Sequence, residues 1–273
     1  MNKIIFITGA TSGFGEACAR KFAAAGDHLI ITGRRKDRLE SLQRELETAA
    51  PGANPAVPAT PIRVLPLVFD VQDRAAVFAA IAGLPEAWRK IDILINNAGL
   101  AAGRDFFDEA SLDDWETMID TNLKGLLYVT RAVLPFMTPV GSGQSGGGQI
   151  GGGHIINIGS VAAKEIYEKG NVYCGTKAAV DAISHSMRID LLRHRIKVTA
   201  IHPGAAETEF SLVRFKGDEG QAQKIYEGYI PLKAEDVADA IFYCASLPPH
   251  VCINEVVMTC TAQADAIYFY KNG

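Results

Sequence analysis

Tyr173 and Lys177 stand four residues apart in "NVYCGTKAAV" (171–180). On a helix that spacing puts both side chains on one face. A phenol with its ordinary pKa near 10 is a poor acid or base at neutral pH. A neighbouring ammonium stabilises the phenolate and lowers that value, so the pair can pass a proton to or from an alcohol oxygen. Taken alone, it reads more readily as a surface contact on a helix. Cys174, between the two, has no His–Asp pair in the pattern, so it is expected to be a small core residue facing away from the site. Ser160, closing "GHIINIGS" (153–160), can donate to a substrate oxygen beside Tyr173, or simply cap a turn.

A second cluster suits phosphate. "TGATSGFG" (8–15) joins an apolar run to a small-residue helix pattern. There Gly9 permits the tight turn, Gly13 lets backbone approach a pyrophosphate, and Gly15 packs helix against sheet. Thr11, Ser12 and Phe14 complete the loop, and the helix N-terminus offers free N–H groups to an anion. An ordinary tight turn is the rival reading. The next apolar run ends in "TGRRKDR", with Arg34 and Arg35 and no carboxylate before Asp37. A carboxylate there would select ribose hydroxyls, whereas guanidinium forks suit an added phosphate. NADP(H) is therefore expected over NAD(H); the alternative is a solvated pair of helix-start arginines. Asp70, with Val71 beside it, closes a third run and is a candidate acceptor for the adenine amino group, or a helix cap.

These residues need a scaffold, and the chain supplies a repeating one. Short β-branched runs at 3–9, 28–33, 63–70, 91–99, 153–160 and 196–204 alternate with helical patterns at 14–25, 36–50, 74–82, 113–137 and after Asn171. Near-continuous apolar strands between helices predict a parallel sheet covered on both faces. Right-handed crossovers make it doubly wound. The expectation is an α/β Rossmann sheet of about seven strands in one domain spanning 1–273. "PGANPAVPATP" (51–61) and glycine-rich "PVGSGQSGGGQIGGG" (139–153) read as inserted surface loops.

Composition excludes several classes. The 273 residues carry a net charge of −4 without a basic run, which argues against nucleic acid. No apolar stretch reaches the roughly 18 residues needed to span a bilayer. Five cysteines at 18, 174, 244, 252 and 260 form no metal-ligand spacing, so no metal is expected. An odd count without a secretion signal points to reduced thiols and a cytoplasmic location.

The ordered set TGxxxGxG (8–15), "NNAG" (96–99), Asn122 in "TNLKG", Ser160, Tyr173-x-x-x-Lys177 and "HPG" (202–204) resembles the short-chain dehydrogenase/reductase family along essentially the whole chain. The resemblance implies hydride transfer with Tyr173 as acid and base and Ser160 holding the substrate oxygen. It also implies Lys177 on the nicotinamide ribose and Asn122 anchoring a water that relays protons. Asn97, Ala98 and Gly99 would bring backbone to the adenosine side, and Pro203 and Gly204 would lie beside the nicotinamide. Thr208 either contacts the carboxamide or caps the next helix. Stretches such as "IITGRRKDRL", "GNVYCGTK" and "TEFSLVRFKGD" look closest to the NADP-dependent 3-hydroxy acid dehydrogenase branch, which acts on L-serine and L-allo-threonine. That implies a short acid substrate and a homotetramer.

A small acid needs a cation. Arg214 is the first candidate and Lys216 stands behind it, within a segment (205–230) expected to form a substrate lid; a solvated pair bridged to Asp218 and Glu219 is the alternative. "AAKEIY" (162–167) should line the opposite wall. Segment 162–169, the two loops and the tail "TAQADAIYFYKNG" (261–273) depart from that branch. A reductase of sulfoacetaldehyde is therefore a second reading, and a non-catalytic NADP(H)-sensing regulator a third. The aromatic tail is expected to pack against a neighbouring subunit.

Overall fold

The structure, a computed structural model, describes residues 2–48, 61–137 and 152–271. Almost all of the two expected loops, 51–61 and 139–153, lies outside the described residues. Seven parallel strands, β1 (Ile4–Ile7), β2 (His28–Gly33), β3 (Val64–Val68), β4 (Ile93–Asn96), β5 (His154–Ile158), β6 (Lys197–Pro203) and β7 (Glu255–Met258), form one sheet in the order 3-2-1-4-5-6-7. The chain winds from β1 outward to β3, then crosses back so that β4 joins the other side of β1. A crevice opens where the order reverses.

Alternation along the strands assigns the two cores. Ile5 and Ile7 of β1 face one cluster with Cys18 and Phe22 of α1 (Gly13–Ala24), Leu39 and Leu42 of α2 (Lys36–Thr48), and a later helix. Ile4 and Phe6 face the other with Val77 and Ile81 of α3 (Arg74–Ala82). Each fully buried side chain of this size contributes roughly 1.5–3 kcal/mol, so the register of β1 is strongly specified.

The single helix expected over 113–137 is divided. α4 (Leu112–Ile119) and α5 (Leu126–Met137) flank a π-helical turn, Asp120–Gly125. The widened turn carries Asn122 toward the backbone of Leu100. Gly125 packs on Val71, whose Cγ2 would lie 2.7 Å from an added Cβ. π-turns of this kind recur at functional sites. Beyond them run α6 (Asn171–Asp190), α7 (Glu209–Arg214), α8 (Glu219–Lys224) and α9 (Ala234–Ser246), the last packing on α1. Among the described residues β7 pairs only with β6, at the edge of the sheet. It had no place in the strands expected from sequence.

Candidate active site

A cavity of about 1280 Å³ opens over the C-terminal strand ends, floored by the glycine loop. Gly9 and Gly13 have φ of +66° and +55°, the left-handed region that favours glycine. Gly15 does not line the cavity; its absent side chain lets α1 seat on the loop, since a Cβ would lie 2.4 Å from the Gly9 carbonyl oxygen. Asn97 locks this loop to the end of β4, its Nδ2 donating to the carbonyls of Thr8 (2.9 Å) and Gly9 (3.1 Å). The Ala98 N–H donates to Thr8 Oγ1 at 2.9 Å, and Gly99 sits near Lys177, with only 3.5 Å from a notional Cβ to Nζ. Thr11, Ser12, Phe14, Asp70 and Val71 border the same space.

The arginines gather at one end. Arg35 donates through Nη2 to Thr11 Oγ1 (2.8 Å) and Ser12 Oγ (2.9 Å), and through Nη1 to Glu209 Oε2 (2.9 Å). Arg38, which sequence reading missed, donates to Glu209 Oε1 at 2.6 Å. Arg34 donates to Asp70 Oδ2 at 3.3 Å. Asp70 is no helix cap, because Asp73 caps α3 by accepting from the Ala76 N–H. The spacing of Arg35 and Arg38, three apart at the start of α2, was the available signal.

Ser160, Tyr173 and Lys177 converge at the cavity's centre, all three buried. β5 delivers Ser160, whose hydroxyl accepts from the Ala162 N–H at 3.1 Å and is hydrogen-bonded to Tyr173. Burial pushes the Tyr173 phenol well above its ordinary range, the nearby Tyr167 adds to this, and the Ser160 hydrogen bond and the Arg214 cation oppose it. The expected depression by Lys177 is not what the site shows. Its ammonium lies 5.9 Å from the Tyr173 ring centre and donates to the Ile158 carbonyl at 2.9 Å, while burial brings its own pKa down to about 8. Desolvation outweighs the Ser160 hydrogen bond and the Arg214 cation, leaving a protonated phenol. Asn122 stays off the cavity wall: it accepts from the Leu100 N–H and donates to the Leu100 carbonyl, both at 2.8 Å, and donates to Thr176 Oγ1 of α6 at 3.1 Å. Cys174 is buried beside Tyr173 and does not line the cavity.

Arg214, at the end of α7, is buried with its guanidinium 5.5 Å from the Tyr173 ring centre and 5.6 Å from that of Tyr167. Its Nη1 donates to Tyr167 Oη at 3.0 Å, and among the described residues its Nε has no partner. Lys216 does not stand behind it. Held in a left-handed turn (φ +53°), Lys216 reaches Asp114 at 2.9 Å instead. Asp218 bridges neither cation and caps α8. Thr208 borders the cavity and caps α7 by accepting from the Phe210 N–H. Pro203 and Gly204 end β6 at the cavity; Gly204 also admits Gln263, whose Oε1 would lie 2.2 Å from an added Cβ and accepts from the Ala205 N–H.

Gln263 begins a tail that folds onto its own chain. Phe269 packs at a tilt against Tyr229 with ring centres 5.2 Å apart, and the Ala266 N–H donates to Glu165 at 3.1 Å. Tyr268 and Tyr270 of the same tail are exposed. Among the described residues one set of ligand-type side chains converges, Asp181, His185 and Glu255, and the Lys164 ammonium pairs with two of them. The five cysteines are free thiols, and among the described residues no helix is long and apolar enough to cross a membrane.

A family model described as short chain dehydrogenase matches residues 3–218. Sulfoacetaldehyde reductase 2 of Chromohalobacter salexigens is 46% identical over 264 residues, covering 97% of this chain and 96% of that protein. The NADP-dependent 3-hydroxy acid dehydrogenase YdfG of Escherichia coli K12 is likewise 46% identical, over 96% of this chain and 97% of that protein. The solved closed form of serine dehydrogenase complexed with NADP+ superposes with a TM-score of 0.84 at 44% identity, covering 99% of this chain and all of that one. With motif order, sheet order and whole-length likeness in agreement, the chain belongs to the short-chain dehydrogenase family and is an oxidoreductase.

Proposed function

We propose that this enzyme interconverts a short 3-hydroxy acid, of the serine or 3-hydroxypropionate type, with its aldehyde or ketone, using NADP(H) and Tyr173 as acid and base. One observation carries the substrate class. Arg214 is a buried cation stacked over the reacting phenol, with a donor left unpaired, and an unpaired buried donor is costly unless a ligand takes it.

The residues fit the cofactor. A loop with two left-handed glycines meets a helix N-terminus whose Ser12 makes no side-chain cap, leaving N–H groups for a pyrophosphate. Arg34, Arg35 and Arg38 would hold the ribose 2′-phosphate, and Lys177 the nicotinamide ribose. Bound there, the nicotinamide supplies or accepts hydride. The remaining work falls to the chain itself. Ser160 holds the substrate oxygen against Tyr173 Oη, which releases its proton as the carbonyl becomes an alcohol and takes one back in reverse. Arg214 anchors the acid group and so fixes which carbon faces the cofactor.

A sulfonate in place of the carboxylate is the second reading. It is favoured by the equal identity to sulfoacetaldehyde reductase 2, and Arg214 with Tyr167 offers donors to either anion. Exposed Ile189 and Leu192, after the catalytic face of α6, support assembly, for which we propose a cytoplasmic homotetramer. The test is a panel of malonic semialdehyde, sulfoacetaldehyde, L-serine and 3-hydroxypropionate followed by NADPH absorbance. Turnover of one acid class well above the others selects between the readings. No turnover of any, with NADPH still bound, would favour a cofactor-sensing regulator.

A further inference from the structure

Behind Ser160 lies a charged network that the reaction as described leaves idle. His202, on β6, is fully buried. Its ring sits directly under the Gly159–Ser160 backbone, and a Cβ on Gly159 would come within 2.4 Å of Nδ1. Nδ1 lies 3.3 Å from the Ser160 nitrogen and 3.1 Å from the Ser160 carbonyl oxygen. Nε2 faces Asp181 Oδ1 at 3.3 Å and Glu255 Oε1 at 3.7 Å. Among the described residues neither Nε2 nor Asp181 Oδ1 makes a hydrogen bond, so the two buried atoms face each other at close range with no hydrogen-bond partner elsewhere. Asp181 belongs to α6, on the four-residue stripe Tyr173, Lys177, Asp181, His185. The ring therefore couples the strand end bearing the serine to the helix bearing the tyrosine and lysine.

We propose that His202 is a positioning residue for the reaction: anchored to α6 through Asp181, it fixes the Ser160 peptide so that the serine hydroxyl stays on Tyr173, and protonation of the ring releases that hold. This rests on the reading of Ser160 and Tyr173 as the reacting pair. The carboxylate at Nε2 sets the neutral tautomer, with Nε2–H toward Asp181 and Nδ1 accepting from the Ser160 N–H. In the imidazolium both nitrogens donate. Nδ1–H then turns to the Ser160 carbonyl, and the Ser160 N–H loses its acceptor.

The groups facing the ring are Asp181 and His185 from α6, Glu255 from β7, and Lys164 from the turn after Ser160. Burial first, then the Lys164 ammonium, lowers the His202 pKa, against the opposing pull of Asp181, the Ser160 backbone and Glu255. The neutral, serine-holding form is thus the resting one at neutral pH. Its loss falls below the ordinary imidazole range.

The test measures kcat and KM for reduction, from about pH 5 to 9, in wild type, His202→Asn, His202→Phe and Tyr173→Phe, with thermal unfolding of each. His202→Phe should lower kcat about 10- to 100-fold with KM for NADPH within about twofold. His202→Asn, whose amide oxygen can replace Nδ1 as acceptor, should recover most of that loss. The wild type should show an acid-side fall in kcat, and His202→Asn should lack it. Near-normal kcat in His202→Phe overturns the proposal, as does an unchanged acid-side fall in His202→Asn. Should the phenylalanine variant fail to fold, the comparison of wild type with His202→Asn decides alone. An inert Tyr173→Phe beside unaffected His202 variants sinks this proposal only. An active Tyr173→Phe overturns the serine–tyrosine reading and this proposal with it.

Discussion

Arg214→Met should deprive the enzyme of its charged substrates while sparing neutral ones. Methionine is long and adaptable enough to fill the space between Tyr167 and Tyr173, and the Arg214 carbonyl still accepts from the Gly103 N–H at 3.1 Å, so α7 stays tethered. What goes is the cation and its unpaired Nε–H. A hydrogen bond to a charged group contributes ~1.5–3 kcal/mol, and ~1.36 kcal/mol is tenfold in rate. The value of kcat/KM for malonic semialdehyde should therefore drop roughly 12- to 160-fold, while propanal, lacking the acid group, should change little. Arg214→Lys should recover only part, because an ammonium lacks the planar fork. The assay is NADPH oxidation with the two aldehydes in parallel. An equal loss for both substrates, or no loss for either, would refute the anion-receptor role.

Tyr173 and the arginine cluster each carry a further expectation. A phenol raised by burial keeps its proton at neutral pH, so reduction, which needs that proton, should be flat from about pH 6 to 8. Oxidation needs the phenolate and should climb across the same range. Paired pH–rate profiles check this, and an oxidation rate that falls with pH would contradict it. Glu209→Gln removes the carboxylate bridging Arg35 and Arg38. With two exposed pairs contributing ~0.2–1 kcal/mol each, KM for NADPH should fall about twofold to thirtyfold and that for NADH should hold. An unchanged NADPH-to-NADH ratio would remove Glu209 from cofactor selection.

The α/β class was readable because each buried strand is a continuous apolar run, and the motif residues converge because strand ends in a doubly wound sheet share one edge. Ser160, Tyr173 and Lys177 come from two separate elements and still meet. What stayed illegible depended on long-range packing. β7 is four residues long and only half-buried, so it lacks a strong apolar signature. The π-turn at Asp120–Gly125 interrupts a helical pattern whose periodicity continues on both sides. Lys216 and Arg214 are two cations separated by one residue in sequence, and the left-handed turn at Lys216 sends one to Asp114 while the other stays in the site. His202 read as part of a turn motif, since nothing local announces that Asp181 and Glu255 will face it. The tyrosine pKa departs from the sequence expectation for a related reason. Spacing shows that a lysine is near, but not how much burial the phenol suffers.

The most direct measurement compares wild type with Tyr173→Phe, following NADPH oxidation by the preferred acid aldehyde alongside NADPH binding by fluorescence. In the proposed mechanism the phenol supplies the proton and Ser160 only holds the oxygen, so the variant should lose turnover by about 10²- to 10⁴-fold while binding NADPH nearly as before. Near-normal turnover in Tyr173→Phe would contradict the assignment of Tyr173 as the acid.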